Sequence, residues 1–265
     1  LPRRAPLGVM DALAADRERL AAAIKPRDAW WSRLVVGPLA NRVVGRLAPY
    51  PAVTPNRVTL FSLAVGLAAA ALFFVAEQPA LLAGALLLQV SFLLDCVDGQ
   101  LARFRGSSSL FGAILDRLCD RVKLAAVLLG IATGAHGEGG SATPLVLAFF
   151  YFFCEYMIEV YVSTHRRFEV GAAPRGGEAS RAVETALFCL RALDLPIVRL
   201  GFADRYFLMS AFLAFGAVAP LLSLLALLGA LQLLLRPAYS VLALRARLGD
   251  WPWNDERRHH LGENF

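Results

Sequence analysis

The chain has 265 residues, 57% of them hydrophobic, and a formal net charge of +6, with a mean hydropathy of +0.55. That balance excludes an ordinary soluble domain, whose apolar residues come in periodic stripes rather than unbroken runs. No compact basic block with interleaved aromatics occurs, which excludes nucleic acid as the partner of the positive charge.

Residues 1–27 read as a polar N-terminal segment or linker with Pro2, Pro6 and Pro26. The segment lacks an apolar core and a cleavage site, so it does not read as a signal peptide. A start at Leu is expected of a chain that was trimmed or cut from a longer one. Residues 28–50 place Trp30, Trp31, Leu34, Val35, Leu39, Val43 and Val44 against Arg33, Arg42 and Arg46. This is the pattern of an amphipathic helix lying in the membrane interface.

Thr54 followed by Pro55 reads as an N-cap with proline at the first helical position. From there, residues 51–247 form one helical membrane domain. A bilayer crossing needs about 20 apolar residues, and six crossings are expected, near 57–77, 79–103, 110–134, 143–167, 203–218 and 220–244, the fifth being short. Residues 170–181 read as a Gly-rich internal loop, 182–200 as a second interfacial helix, and 248–265 as a polar C-terminal tail. The fold class expected is all-α: a polytopic membrane protein with six transmembrane helices, preceded by an interfacial amphipathic helix.

Charge placement supports the count. With both termini inside, the outer loops fall at 77–79, 135–143 and 217–220, and none of the 27 Lys and Arg residues lies in them. Cytoplasmic loops carry the excess of basic residues, so both termini are expected in the cytoplasm. Basic residues along the inner face also suit contact with anionic headgroups. Cys96, Cys119, Cys154 and Cys189 show no paired spacing that would mark a zinc site and read as packing residues. His136, His259 and His260 read as surface histidines.

The chemistry concentrates in "LLDCVDGQLARFRGSSSLFGAILDRLCD", residues 93–120. Asp95 and Asp98 are three apart, and Asp116 and Asp120 are four apart, so each pair shares a helix face. Gly106 and three serines between the pairs read as a short inner turn, which brings all four carboxylates to one depth. Such a cluster is costly to insert and repels itself. Arg103, Arg105, Arg117, Arg121 and Lys123 supply positive charge, but flexible cations do not account for the paired spacing. Oxygen ligands on a rigid scaffold suit Mg²⁺ or Mn²⁺, and two such ions together bridge a phosphate and activate a hydroxyl. Gly99 and Gly112 permit close approach of a backbone or ligand, and Arg103 suits a diphosphate.

The spacing Asp95-x2-Asp98-Gly99-x2-Ala102-Arg103-x8-Gly112-x3-Asp116-x3-Asp120 resembles the signature of the CDP-alcohol phosphotransferase (CDP-alcohol phosphatidyltransferase) family at every fixed position. The resemblance extends over roughly residues 30–245 and is stronger in the first half. It implies six helices around a cytosol-facing polar cavity and a CDP-alcohol phosphotransferase that releases CMP. Asp95, Asp98 and Asp116 would be metal ligands. Asp120 would be the general base and a further metal contact. Asp98, Gly99, Ala102, Arg103 and Gly112 would bind the nucleotide and diphosphate, and "TPNRVT" (54–59) would place Asn56 beside them. Arg166, Arg167 and Arg205 are candidates for an acceptor phosphate, although arginines at helix ends also serve as headgroup anchors.

Family members that make phosphatidylinositol phosphate carry Arg-x-Arg after the Tyr-Val of the fourth span; here Ser163 and His165 stand there. "VSTHRRF" and "ADRYFLM" look more like members that join CDP-inositol to a phosphorylated inositol, and those are often fused to a cytidylyltransferase domain. The resemblance further implies a homodimer in the lipid bilayer, a CDP-alcohol donor and a polar alcohol acceptor. The alternatives are a CDP-diacylglycerol-dependent phospholipid synthase and, from another class, a divalent-cation transporter. A transporter wants its acids near the bilayer midplane, whereas these sit by the inner turn. A non-catalytic scaffold would have no use for the acid–Gly–Arg spacing.

Overall fold

Small residues and helix-capping chemistry govern how this chain packs. The computed structural model of the protein describes residues 30–169 and 202–248, together with Leu20, Ala22 and Ala23. Among these residues all regular structure is helical. The Gly-rich loop, the second interfacial helix, nearly all of the N-terminal segment, the tail after residue 248 and the side chains of Arg166 and Arg167 lie outside the described residues.

A π-helical turn, Ser32–Val36, leads into α1 (Gly37–Leu47). The Gly37 amide bonds to the Ser32 carbonyl, and a Cβ on Gly37 would stand 2.7 Å from that oxygen. Glycine is needed for the wide turn to close there. Pro38, which has no N–H to give, interrupts the ordinary ladder at the same point. Val36, Ala40 and Val44 form the buried stripe of this segment, while Leu34, Val35 and Leu39 are exposed.

α2 (Pro55–Phe73) opens as the capping pattern predicts, with Thr54 Oγ1 accepting from the Arg57 amide at 3.4 Å. α3 (Gln78–Phe104) and α4 (Leu110–Gly139) follow, then α5 (Thr143–Glu169), α6 (Phe202–Ala214) and α7 (Val218–Leu248). Helices α2 to α7 stand where the six crossings are expected. By length and apolarity, four segments among the described residues are able to cross a membrane: Pro55–Phe73, Gln78–Phe104, Thr143–Thr164 and Val218–Ala238. α6 has 13 residues, about 20 Å at 1.5 Å per residue, short of a ~30 Å hydrocarbon core. α4 is long enough, but Asp116, Arg117, Asp120, Arg121 and Lys123 crowd its first half. Large apolar side chains such as Phe61, Leu86 and Phe149 are well exposed, as lipid-facing residues would be.

The chain divides into two compact units, one of Leu1–Phe153 with Arg199–Leu227, the other of Cys154–Val198 with Leu228–Phe265. The first holds the main core, in which Phe73, Leu88, Leu128, Ile131, Met209 and Leu221 are buried together. In the second, Cys154, Glu155, Ile158 and Gln232 are buried.

Within the first unit, α2 and α4 meet almost backbone to backbone. A Cβ on Gly130 would run into the Ala70 carbonyl oxygen, and one on Gly134 into that of Phe73. Close approach through small residues replaces the missing hydrophobic drive between membrane helices. Gly130→Leu is therefore expected to destabilise the protein by about 1–3 kcal/mol through overpacking, read as a lower melting midpoint in detergent. Gly137→Ala, where an added Cβ meets nothing within 4 Å, is expected to leave the midpoint unchanged or raise it, since alanine orders a helix better than glycine.

Candidate metal and nucleotide site

The site is assembled by α2, α3 and α4 of the first unit. Two serines at the α2–α3 crossing set the registration: Ser62 Oγ donates to the Ser91 carbonyl at 2.9 Å, and Ser91 Oγ donates back to the Ser62 carbonyl at 2.8 Å. Reciprocal bonds of this kind satisfy both hydroxyls without water. They hold the C-terminal part of α3, with Asp95 and Asp98, against the start of α2.

The turn between α3 and α4 then returns the chain. Gly106 has φ 61°, a left-handed conformation that glycine adopts without steric cost. Ser109 caps α4 by accepting from the Gly112 amide at 3.0 Å, as an N-cap serine does. The result brings the acidic pairs together. Asp95, Asp98 and Asp116 each offer a carboxylate oxygen, and the three oxygens lie within 4.8 Å of one another. Three carboxylates converging at that distance fit one hard divalent cation of the Mg²⁺ or Mn²⁺ type. Asp98 is 5% exposed and is oriented by Thr59, whose Oγ1 donates to Asp98 Oδ2 at 2.5 Å.

Asp120 is not one of those three. Its Oδ1 pairs with Lys123 Nζ at 2.9 Å, and the same ammonium donates to Asp95 Oδ1 at 2.7 Å. Lys123 is buried to 1% exposure. It thus supplies the positive charge that the sequence expects beside the carboxylates, as a buried counterion and not a flexible one.

The expected nucleotide residues line the same end of the bundle. Gly112 faces Asn56 across α2 and α4: a Cβ on Gly112 would stand 3.3 Å from Asn56 Oδ1. A Cβ on Gly99 would lie 3.3 Å from Arg103 Nη1, so the bare α-carbon lets the guanidinium fold over α3. Ala102, one residue before Arg103, is half-buried. Arg103 Nε donates to the Ala23 carbonyl at 2.7 Å, and a cavity of about 420 Å³ opens between Ala22, Ala23, Arg103, Phe104, Arg105 and Gly106.

Arg105 does something the spacing did not suggest. It gathers carbonyls of the segment preceding α2, those of Leu47, Ala48, Tyr50 and Val53, at 2.6 to 3.2 Å. An arginine fork suits such a task because its donors are fixed in one plane. The acceptor candidates are placed less fully. Arg205 is buried at the start of α6, with Nη1 donating to Tyr151 Oη at 3.3 Å, beside Asp204, which accepts from the Trp31 amide at 3.2 Å. Arg166 and Arg167 belong to α5, and nothing further is described of them.

Sequence reasoning passed over Thr59 and the bridging role of Lys123. Lys123 stands one turn beyond Asp120 on the same helix face, and that placement was the available signal.

Comparison with known proteins bears on this arrangement. A family model described as CDP-alcohol phosphatidyltransferase matches residues 52–200. An archaetidylinositol phosphate synthase of Pyrococcus horikoshii is 38% identical over 91 residues, which is 34% of this chain and 47% of that one. A phosphatidylinositol phosphate synthase of Mycobacteroides abscessus is 38% identical over 95 residues, 36% of this chain and 42% of that one. The chain thus spans about half the length of the curated relatives it matches. The phosphatidylinositol phosphate synthase of Mycobacterium tuberculosis has been solved in two informative states. With CDP-DAG bound it gives a TM-score of 0.53 at 22% identity, covering 77% of this chain and 92% of that one, a likeness of fold. In complex with manganese and citrate it gives 0.50 at 25% identity, covering 77% and 88%.

Proposed function

Because the chain belongs to the CDP-alcohol phosphatidyltransferase family, we propose that it transfers a phospho-alcohol from a CDP-linked donor to a hydroxyl of a polar acceptor, with release of CMP. The setting is phospholipid or polyol-phosphodiester biosynthesis. The observation that carries this reading is the convergence of Asp95, Asp98 and Asp116 oxygens within 4.8 Å beside Gly99, Arg103 and Gly112. A divalent ion bound there supplies Lewis-acid polarisation of the phosphate oxygens.

The remaining steps fall to the chain itself. Asp120 accepts the proton of the acceptor hydroxyl as that oxygen attacks the β-phosphorus. The bond between the β-phosphorus and the bridging oxygen breaks, and CMP leaves with the electron pair. Arg103 offsets the charge that grows on the departing phosphate through charge-assisted hydrogen bonds. Gly99, Ala102, Gly112 and Asn56 leave room for the nucleotide. Catalysis of this kind rests on positioning and electrostatics rather than on covalent chemistry with the protein.

The domain is read as six crossings around a cytosol-facing polar cavity, with both termini and the active site on the cytoplasmic side and the 28–50 helix in the interface. In that arrangement the charged first half of α4 faces protein and cavity, where intramembrane acids and bases are tolerated. A homodimer, and a cytidylyltransferase domain fused to the chain or acting separately, complete the reading.

For substrates, Ser163 and His165 favour a CDP-inositol donor with a phosphorylated inositol acceptor, and Arg166, Arg167 and Arg205 are the acceptor-side candidates. A CDP-diacylglycerol donor is the second reading, favoured by relatives named for phosphatidylinositol phosphate synthesis. The test presents CDP-diacylglycerol and CDP-inositol separately with free and phosphorylated inositol in the presence of Mn²⁺, and reads products by mass spectrometry. A phosphodiester product with CMP from CDP-inositol is expected. Product from the lipid donor alone would install the second reading, and product from neither would defeat the assignment.

A further inference from the structure

Trp31, at the entry to the π-helical turn, is joined to the start of α6 through both its backbone and its ring. Its amide donates to Asp204 Oδ1 at 3.2 Å. Its indole Nε1 donates to Gln89 Oε1 of α3 at 3.1 Å. Gln89 Nε2 donates in turn to the Tyr206 carbonyl at 3.1 Å and to Ser210 Oγ at 2.9 Å. The Trp30 and Trp31 rings close on Phe207, with centroids 5.5 and 4.3 Å away. Asp204 is buried and lies in the first turn of α6, where a carboxylate is favoured. Arg205 is the residue between Asp204 and Tyr206, so its backbone is pinned on both sides.

Resting on the reading of Arg205 as an acceptor-side residue, we propose that Trp31, Gln89 and Asp204 are positioning residues for recognition of the acceptor's phosphate. Hydropathy does not fix the depth of α6, because its 13 residues fall short of a ~30 Å hydrocarbon core. A short helix adjusts its depth in a bilayer at modest cost, and Arg205 would travel with it. The network removes that freedom at the end that carries the arginine. A planar guanidinium holds a phosphate through paired donors in a fixed fork, so displacement of its backbone is felt directly in the contact. The donor side is set separately, by the Ser62–Ser91 pair between α2 and α3.

The polar contacts distinguish this from mere adhesion of the interfacial segment. Two tryptophans on a phenylalanine would hold the segment to α6, but apolar burial is non-directional and leaves the register of α6 free. Hydrogen bonds to one carboxylate, one carbonyl and one hydroxyl select a single register.

The test uses the full chain in detergent, with inositol phosphate and free inositol as acceptor probes and whichever of CDP-inositol and CDP-diacylglycerol yields product. Acceptor KM, donor KM and kcat are measured. Wild type is expected to prefer the phosphorylated acceptor. Asp204→Ala is expected to raise KM for inositol phosphate about tenfold, since a misplacement near 1 Å can cost up to ~10². Donor KM and kcat should not change, the mark of lost ground-state binding. Asp204→Asn keeps an oxygen for the Trp31 amide and is expected to match wild type, and Gln89→Leu to behave as Asp204→Ala. In an Arg205→Gln background neither should raise acceptor KM further, because groups that act through one another are not additive.

Equal rises in donor and acceptor KM, or a further rise on top of Arg205→Gln, would overturn the proposal. Asp204→Asn as impaired as Asp204→Ala would make the carboxylate a charge partner and overturn its positioning role. Should Asp204→Ala fail to fold, Gln89→Leu and Trp31→Phe, which lacks the indole donor, decide by the same split. A wild type indifferent to the acceptor's phosphate, or without product, would overturn the reading of Arg205 itself, and this inference with it.

Discussion

Asp98→Asn is expected to cut CMP release by about a thousandfold while leaving the fold intact. Asparagine has nearly the shape of aspartate and keeps an oxygen for the Thr59 hydroxyl, which now donates to Asp98 Oδ2. What it removes is a charged ligand from a group of three. Metal stabilisation of transition-state charge is worth several kcal/mol, and each factor of ten in rate is about 1.4 kcal/mol. The melting midpoint in metal-free detergent should not fall, because a buried carboxylate that repels its neighbours has been neutralised. The measurement is CMP release against Mn²⁺ concentration, with the midpoint as control. Turnover within tenfold of wild type would mean that the ion is held elsewhere.

Asp120→Asn has the second largest expected effect, and its signature is different. A positioned general base contributes roughly 10²–10⁴ in rate, so turnover should fall by that range while the apparent affinity for the CDP-linked donor stays close to wild type. The amide oxygen keeps its place beside the Lys123 ammonium, which pairs with Asp120 Oδ1 at 2.9 Å, but it has lost its affinity for a proton. Loss of kcat without loss of donor binding marks an interaction made only in the transition state. A rise in donor KM with kcat unchanged would instead assign Asp120 to ground-state binding.

How much of this was legible beforehand differs by residue. The convergence of Asp95, Asp98 and Asp116 was, because helical spacing at three and four is a local property and the turn between the pairs announced itself by Gly106 and three serines. Capping by Thr54 was legible for the same reason. Lys123 and Arg105 were legible only as two of five basic residues supplying charge to the carboxylates. The tertiary arrangement distinguishes the roles: Lys123 is 1% exposed and pairs with Asp95 and Asp120, while Arg105 binds backbone carbonyls more than fifty residues upstream. Hydropathy also treated α4 as a crossing like the others and α6 as a short one. The structure keeps α6 short, at 13 residues, and separates α4, which is charged along half its length. A periodic pattern registers how apolar a segment is, not which neighbour covers it.

The tight contact of Gly130 and Gly134 with α2 makes α4 a ruler with its zero mark at the far end. Adding one residue within Leu124–Leu129 would leave hydropathy and the acidic signature untouched. Yet with the glycines clamped it would turn the acidic end by about 100° and shift it by about 1.5 Å. Asp116 would swing out of phase with Asp95 and Asp98. The plain apolar stretch between chemistry and clamp is thus held to length as strictly as the spacing of the carboxylates themselves.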